Sequence, residues 1–159
     1  MNGEPPTPAR LAAIPDPFVR NLASLGRVRA YPKNTVFITE GDSSDSVFVI
    51  LAGKVKAFVS DSEGHELILN NQVPGDYVGE MALDGKPRSA SVVTLEPTTF
   101  SVVQREPLLD AIRKNPDFAL EMIGKVIERA REATDNVKNL ALLDVYGRVA
   151  RLLLNMSVE

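Results

Sequence analysis

The chain has 159 residues, of which 44% are hydrophobic, and its formal net charge is -3 at pH 7. This length and a mean hydropathy of -0.05 fit one compact soluble domain with appendages. The absence of cysteine excludes disulfides and a cysteine-ligated iron–sulfur cluster. No dense stripe of Lys and Arg is present, which argues against a DNA-binding surface within these residues.

The sequence gives no sign of a membrane segment or a targeting signal. The longest apolar run of the central region, from Val47 to Ala52, is far shorter than the ~20 residues that a membrane-spanning helix needs. Neither a basic-then-apolar signal sequence nor a transit peptide opens the chain. We therefore expect a cytoplasmic protein with no membrane partner.

The N-terminal region predicts an arm followed by a short helix. Residues 1–8 are polar and rich in proline, which predicts a mobile arm. Pro17 stands where a first helical residue is expected, Leu22 and Leu25 share one face, and Gly26 lies beyond the end.

From Arg27 to Gln104 the pattern changes to short strands separated by turns rich in Gly, Pro and Asp. The predicted strands are residues 28–31, 35–38, 47–51, 55–60, 67–72, 90–94 and 99–103. Many short strands at regular spacing are typical of an antiparallel roll, barrel or sandwich. The periodicity by itself does not distinguish among these.

Helices are predicted again after Glu106. Pro107 indicates a short helix through about Lys114. Asn115 and Pro116 then indicate the beginning of a long helix, with Asn115 as its cap and Pro116 in its first turn.

The long helix carries a seam of apolar and small residues that repeats every seven positions. The members of the seam are Ile123, Ala130 and Val137, and, offset by three, Val126, Ala133 and Leu140. Charged residues flank this seam, as in a two-stranded coiled coil. We expect a homodimer through residues 116–143; the alternative is that the stripe packs on the chain's own strands.

The C-terminal residues have helical spacing of apolar side chains without anything following to cover them. Val145, Val149, Leu152, Leu153 and Met156 share one face. Because an uncovered apolar face is unfavourable, we expect the sequence to be cut inside a further domain.

The residues that carry the most chemistry are 79–91, which read Gly-Glu-Met-Ala-Leu-Asp-Gly-Lys-Pro-Arg-Ser-Ala-Ser. The planar fork of Arg88 matches two phosphate oxygens, and Ser89 adds a hydroxyl donor. Gly79 allows close backbone approach, a short helix from Glu80 would direct N–H groups at the same anion, and the Glu80 carboxylate can accept from a hydroxyl of the same ligand. A purely structural Glu80–Arg88 ion pair on a turn is the alternative.

These residues resemble the phosphate-binding cassette of cyclic nucleotide-binding domains, and the flanking sequence resembles the CRP/FNR superfamily of bacterial transcription regulators. The resemblance rests on Gly79, Glu80, Ala82 and Leu83, followed by Pro87, Arg88, Ser89 and Ala90, and on the run from Asn139 to Leu154. It implies a cyclic nucleotide effector, with cyclic AMP favoured, and no metal. The implied ligand-binding residues are Gly79, Glu80, Met81, Ala82, Arg88, Ser89 and Thr134. The segment between Glu80 and Arg88 is one residue shorter than in the kinase-type cassette.

The resemblance also implies a fold and a domain plan. The fold is α+β: an antiparallel β-roll (a double-stranded β-helix, jelly-roll-like) with short flanking helices and a long C-terminal dimerisation helix. Residues 1–115 would form the cyclic nucleotide-binding roll and residues 116–143 the coiled-coil dimerisation helix. Residues 144–159 would form the hinge and the start of a truncated winged helix-turn-helix domain. DNA would be bound only through the missing part of that domain.

Thr134 lies in the part of the long helix where members of the family contact the purine amino group. Its hydroxyl could bond the adenine edge and so connect the roll to the coiled coil. The alternative is a hydroxyl that bonds its own helix backbone.

Three other functions compete with a cyclic nucleotide sensor. The roll could respond to cyclic di-GMP, or it could be a ligand-independent dimerisation scaffold. A cupin-type metal enzyme would need several clustered histidines, whereas His65 is the only one and lies in a predicted turn. We therefore expect no catalysis, and we expect Arg88→Leu to abolish nucleotide binding while leaving the fold and the dimer intact.

Overall fold

The structure is a computed structural model that describes residues 3–142 and Leu153. The chain divides into two compact units, Met1–Pro116 and Asp117–Glu159. The predicted hinge and the beginning of a DNA-binding domain at 144–159 lie outside the described residues, apart from Leu153.

The helices and strands follow the predicted order. They are α1 (Pro8–Ala12), α2 (Pro17–Ser24), β1 (Arg27–Tyr31), β2 (Val36–Ile38), β3 (Val47–Ala52), β4 (Val55–Ser60), β5 (Glu66–Gln72), β6 (Tyr77–Val78), a 3₁₀ helix (Glu80–Asp84), β7 (Ser91–Thr94), β8 (Thr98–Val103), α3 (Arg105–Lys114) and α4 (Asp117–Leu142). Every predicted strand is present, with ends that differ by one residue at most. The sequence did not predict β6, which is too short for an alternating pattern, or α1.

The strands form two four-stranded antiparallel sheets, in the orders β1-β8-β3-β6 and β2-β7-β4-β5. Strands close in sequence are distributed between both sheets, as in a roll. The predicted α+β fold with an antiparallel β-roll, short helices and a long C-terminal helix is confirmed.

The core lies between the two sheets and takes residues from both. Its members are Ile38, Phe48, Ile50, Val55, Ala57, Val78, Val92, Phe100 and Val102. The Phe100 ring is fully buried, with its centroid 4.5 Å from that of Phe37 and 5.7 Å from that of Phe48. Aromatic pairs at these separations add to the stabilisation from buried apolar area.

The N-terminal segment is attached to the roll, so the prediction of a mobile arm is wrong for its described residues. The Val28 N–H donates to the Glu4 carbonyl oxygen across 2.8 Å, which places the segment along the edge strand β1. Pro6 is buried. Thr7 caps α1 by accepting from the Arg10 N–H at 3.4 Å, and Pro8 occupies the first turn.

Helix α2 is the helix predicted from Pro17. Asp16 caps it, because one carboxylate oxygen accepts from the Phe18 N–H at 2.8 Å and from the Val19 N–H at 3.3 Å. The helix is tied to β8 by Ser101, whose hydroxyl donates to the Ala23 carbonyl oxygen at 2.6 Å.

The last two helices begin at different residues from those predicted. Helix α3 begins at Arg105, so Pro107 is its third residue, where the helix needs no N–H donor. Helix α4 begins at Asp117, so Pro116 lies just before it and Asn115 ends α3. Among the described residues, no helix is long and apolar enough to cross a membrane.

Two glycines with similar backbone angles provide a test of how tightly the turns are packed. Gly53 has a φ of +96°, and a Cβ there would lie 2.7 Å from the Thr98 Cα, whereas Gly64 has a φ of +85° and nothing within 4 Å. We expect Gly64→Ala to lower the free energy of unfolding by about 1–2 kcal/mol, because only left-handed strain is added. Gly53→Ala should cost clearly more in urea unfolding. Equal losses would show that the Gly53 turn can relax away from β8.

Candidate functional site

Main-chain hydrogen bonds connect the predicted cassette to the loop between β2 and β3. The Arg88 N–H donates to the Asp42 carbonyl oxygen, and the Gly41 N–H donates to the Arg88 carbonyl oxygen, both across 2.9 Å. This reciprocal pair fixes the backbone of Arg88 just before β7 begins at Ser91.

The Arg88 side chain is only 5% exposed and bonds two other segments of the chain. Its Nη1 donates to the Gly79 carbonyl oxygen at 2.7 Å. Its Nη2 donates to the Ser44 hydroxyl at 2.7 Å and to the Ser46 carbonyl oxygen at 2.8 Å. The guanidinium is therefore positioned by uncharged oxygens on both sides.

Burial and nearby carboxylates act on this arginine in opposite directions. Desolvation lowers the pKa of Arg88 below its usual value, while the Asp45 and Glu80 carboxylates raise it and offset part of the effect. An arginine remains cationic at neutral pH under such a shift. The site therefore presents a positive charge in surroundings where water screens it poorly, which favours an anionic partner.

Gly79 is needed for the close approach of these groups. Its φ is +90°, and a Cβ there would lie 2.5 Å from Arg88 Nη1 and 2.9 Å from the Ser46 carbonyl oxygen. Any side chain at this position would displace the guanidinium. This close approach is to Arg88 and Ser46, and the role of Gly79 in backbone approach to a ligand stays a prediction.

The other predicted cassette residues surround Arg88 less tightly. Glu80 begins the 3₁₀ helix, is half-buried, and lies near enough to raise the pKa of Arg88. Ala82 lies in the same helix. Met81 is 64% exposed, and its sulfur accepts from the hydroxyl of the exposed Ser89 at 3.3 Å.

Thr134 lies on α4, in the second compact unit. Its exposed hydroxyl donates to the Ala130 carbonyl oxygen of the preceding turn at 2.9 Å. This is the backbone bond that was the alternative interpretation of Thr134. The role of Thr134 in ligand binding stays a prediction.

Sequence reasoning missed the serines that hold Arg88. Ser44 and Ser46 belong to the polar run Ser-Ser-Asp-Ser immediately before the buried strand β3, and this placement was the only available signal. A cavity of about 310 Å³ adjoins this run. It is lined by Ser43, Ser44, Asp45, Gly85 and Lys86.

His65 is an exposed turn residue, as predicted. Its Nδ1 lies 2.9 Å from an Asp61 carboxylate oxygen, and the His65 N–H is the main cause that lowers the pKa of Asp61. Within residues 3–142 and Leu153, no three His, Cys, Asp or Glu side chains cluster closely enough to hold a metal ion.

Two antiparallel sheets with a Gly-Glu to Arg-Ser turn between β6 and β7 define the class of cyclic nucleotide-binding domains. The family model described as the cyclic nucleotide-binding domain matches residues 28–115, which is more than half of the chain. The chain belongs to this family, and within it to the CRP/FNR group of transcription regulators.

The relatives and solved structures agree with this assignment. The chain is 31% identical over 146 residues to the cAMP-activated global transcriptional regulator CRP of Salmonella typhimurium, covering 91% of this chain and 70% of that protein. The catabolite activator protein of Thermus thermophilus is 32% identical with a TM-score of 0.69, covering 83% of this chain and 63% of that one. The c-di-GMP-responsive regulator CLP of Xanthomonas campestris shares the fold, at 24% identity and a TM-score of 0.73, covering 89% and 72%.

Removing the Ser44 hydroxyl tests whether this loop holds the arginine. We expect Ser44→Ala to lower the free energy of unfolding by about 1.5 kcal/mol, because a hydrogen bond to a charged group is lost. The matched control is Ser43→Ala at the neighbouring exposed position, which should change stability by less than about 0.5 kcal/mol. Chemical unfolding of both variants measures the difference; equal stabilities would contradict a role for Ser44 in holding Arg88.

Proposed function

We propose that this chain is the ligand-sensing and dimerisation region of a bacterial transcription regulator, and that its effector is a cyclic nucleotide, with cyclic AMP favoured. The observation that carries the proposal is Arg88, a buried cation whose hydrogen-bond acceptors are uncharged. A buried cation without a full counter-charge favours an anion that can enter the site. The cAMP-activated regulator CRP of Salmonella typhimurium, which is 31% identical to this chain, supports cyclic AMP as the effector.

Each cassette residue serves a different part of the nucleotide in this proposal. Arg88 and Ser89 bind the phosphate, and Glu80 accepts from the ribose 2′-hydroxyl. The backbone of Gly79 and of the 3₁₀ helix that contains Met81 and Ala82 contacts the nucleotide from one side. The Thr134 hydroxyl, which is exposed on α4, contacts the purine amino group. The protein performs no catalysis and holds no metal.

The domain plan is part of the proposal. Residues 1–115 sense the nucleotide, residues 116–143 dimerise, and residues 144–159 form the hinge toward a DNA-binding domain. Ligand contacts that differ between two arrangements of the long helices would shift the balance between them. DNA binding belongs to the sequence beyond the hinge, and the regulator acts in the cytoplasm.

Cyclic di-GMP is the second candidate effector, because it is named for the Xanthomonas structure that shares this fold. Two phosphates and two bases would require a wider and more basic surface than one buried arginine provides. A parallel titration therefore separates the two effectors.

Calorimetric titration with cyclic AMP, cyclic GMP and cyclic di-GMP tests the proposal. We expect saturable cyclic AMP binding at about one molecule per subunit, and a loss of at least about tenfold in affinity for Arg88→Lys, which keeps the charge but loses the planar fork. No binding of any of the three by folded protein would refute the sensor. Preferential binding of cyclic di-GMP would overturn the choice of ligand.

The structure changes what we expect of Arg88→Leu. The Gly79 and Ser46 carbonyl oxygens would lose their donor in a buried place, so this variant should also lose about 1–3 kcal/mol of folding stability. Unfolding curves must accompany its titration. Arg88→Lys, which can still donate, is the better test of binding.

The seam of α4 provides the test of dimerisation. Ile123, Val126 and Val137 are 53%, 47% and 65% exposed, so apolar area is available for a partner helix. We expect the double change Val126→Glu and Val137→Glu to convert a dimer to a monomer in sedimentation, because charges would face each other across the seam. The matched control, Arg131→Glu on the outer side of the helix, should remain dimeric. A wild-type monomer, or a dimer that survives the double change, would contradict the assignment.

A further inference from the structure

Strand β5 places two amide side chains on the inner face of its sheet. In the register with β4, Gln72 is opposite Val55 and Asn70 is opposite Ala57. Directly opposed residues of an antiparallel pair project from the same face. Val55 and Ala57 are core residues, so Gln72 and Asn70 project into the space between the two sheets.

Gln72 is buried there with an incomplete set of hydrogen bonds. Its side chain is 7% exposed, and its Nε2 donates to the Asn70 Oδ1 at 2.7 Å. Its Oε1 is buried and has no hydrogen-bond partner among the described residues. A buried carbonyl oxygen without a donor is unfavourable, which points to a group that is supplied from outside.

The core cluster that faces Gln72 also includes residues next to the cassette. This cluster contains Val78 and Val92 together with Val55 and Ala57. Val78 directly precedes Gly79, and Val92 is the second residue of β7, shortly after Ser89. Val92 pairs with Ala57 across β7 and β4, and Ala57 pairs with Asn70 across β4 and β5. Asn70 is itself exposed, so the inner face is accessible from this side.

We propose that Gln72 is the residue that selects adenine, by accepting a hydrogen bond from the 6-amino group through Oε1 while Asn70 holds its Nε2. This inference rests on the proposed function. Adenine has a single donor group, the 6-amino group, whereas guanine presents a carbonyl oxygen at the same position. Two carbonyl oxygens that face each other would repel, so Gln72 Oε1 would favour adenine over guanine.

The test compares cyclic AMP with the cyclic monophosphate of purine riboside, which differs only in lacking the 6-amino group. We expect the wild-type chain to bind cyclic AMP about tenfold more tightly, as loss of one buried hydrogen bond implies. In Gln72→Leu this ratio should fall, because the 6-amino group then keeps only the partner proposed at Thr134. A merely structural role for Gln72 would weaken both ligands by the same factor and leave their ratio unchanged.

Asn71 offers a matched control on the same strand. It is exposed and opposite Lys56, so it projects from the other face, and Asn71→Ala should keep the tenfold ratio. Asn70→Ala should reduce the ratio, and Asn70→Asp, which still accepts from Nε2, should restore it. Gln72→Met, of similar length but without the acceptor, replaces the leucine variant if that one does not fold.

The outcomes separate this inference from the function on which it rests. Absence of any cyclic nucleotide binding overturns the sensor itself. Cyclic AMP binding with a ratio of one in the wild type, or with the same ratio in Gln72→Leu, keeps the sensor and overturns the role of Gln72. Thermal unfolding provides an independent readout, because Gln72→Leu should melt at the same temperature or higher without ligand.

Discussion

The buried guanidinium of Arg88 connects the two sheets at one end of the roll. Its acceptors lie at Ser46, just before β3, and at Gly79, just after β6, and both of these strands belong to the first sheet. Its own backbone precedes β7 and bonds the loop that follows β2, and these strands belong to the second sheet. A group that binds Arg88 therefore acts on both sheets together, since any shift of the side chain moves partners in each.

The choice of acceptors decides whether such an arginine can also bind a ligand. A carboxylate in bidentate contact would neutralise the cation and leave little attraction for an anion. Carbonyl and hydroxyl oxygens satisfy N–H donors without cancelling the charge, and here they are the Gly79, Ser46 and Ser44 oxygens. Asp45 and Glu80 favour the charged form without outweighing burial, so the pKa of Arg88 stays below its usual value. For this reason Arg88 can hold the surrounding segments together and still attract an anion.

Local patterns predicted most of the fold and the central residues of the candidate site, whereas non-local pairing could not be predicted. Alternating strands and the turn at residues 79–91 have signals confined to a few neighbouring positions, and both were found. Strand β6 has two residues and no periodicity of its own, and it exists because β3 pairs with it. Ser44 lies 44 residues from Arg88, so only the sheet order brings them together. The mobile arm was predicted from composition, which does not reveal that the Glu4 carbonyl oxygen meets the β1 edge.

Arg88 and Gln72 have the same physical character, although one is charged and the other neutral. Each is a polar side chain at least nine-tenths buried, held on one side by the protein and left with interaction capacity on the other. An apolar residue opposite Val55 would pack without an unpaired oxygen, so Gln72 costs folding stability in the absence of a ligand. A ligand that meets both groups would recover that cost and bind only the folded chain, which stabilises it in proportion to occupancy. Binding would thus complete the core of the roll, and this makes the folded arrangement itself responsive to the nucleotide.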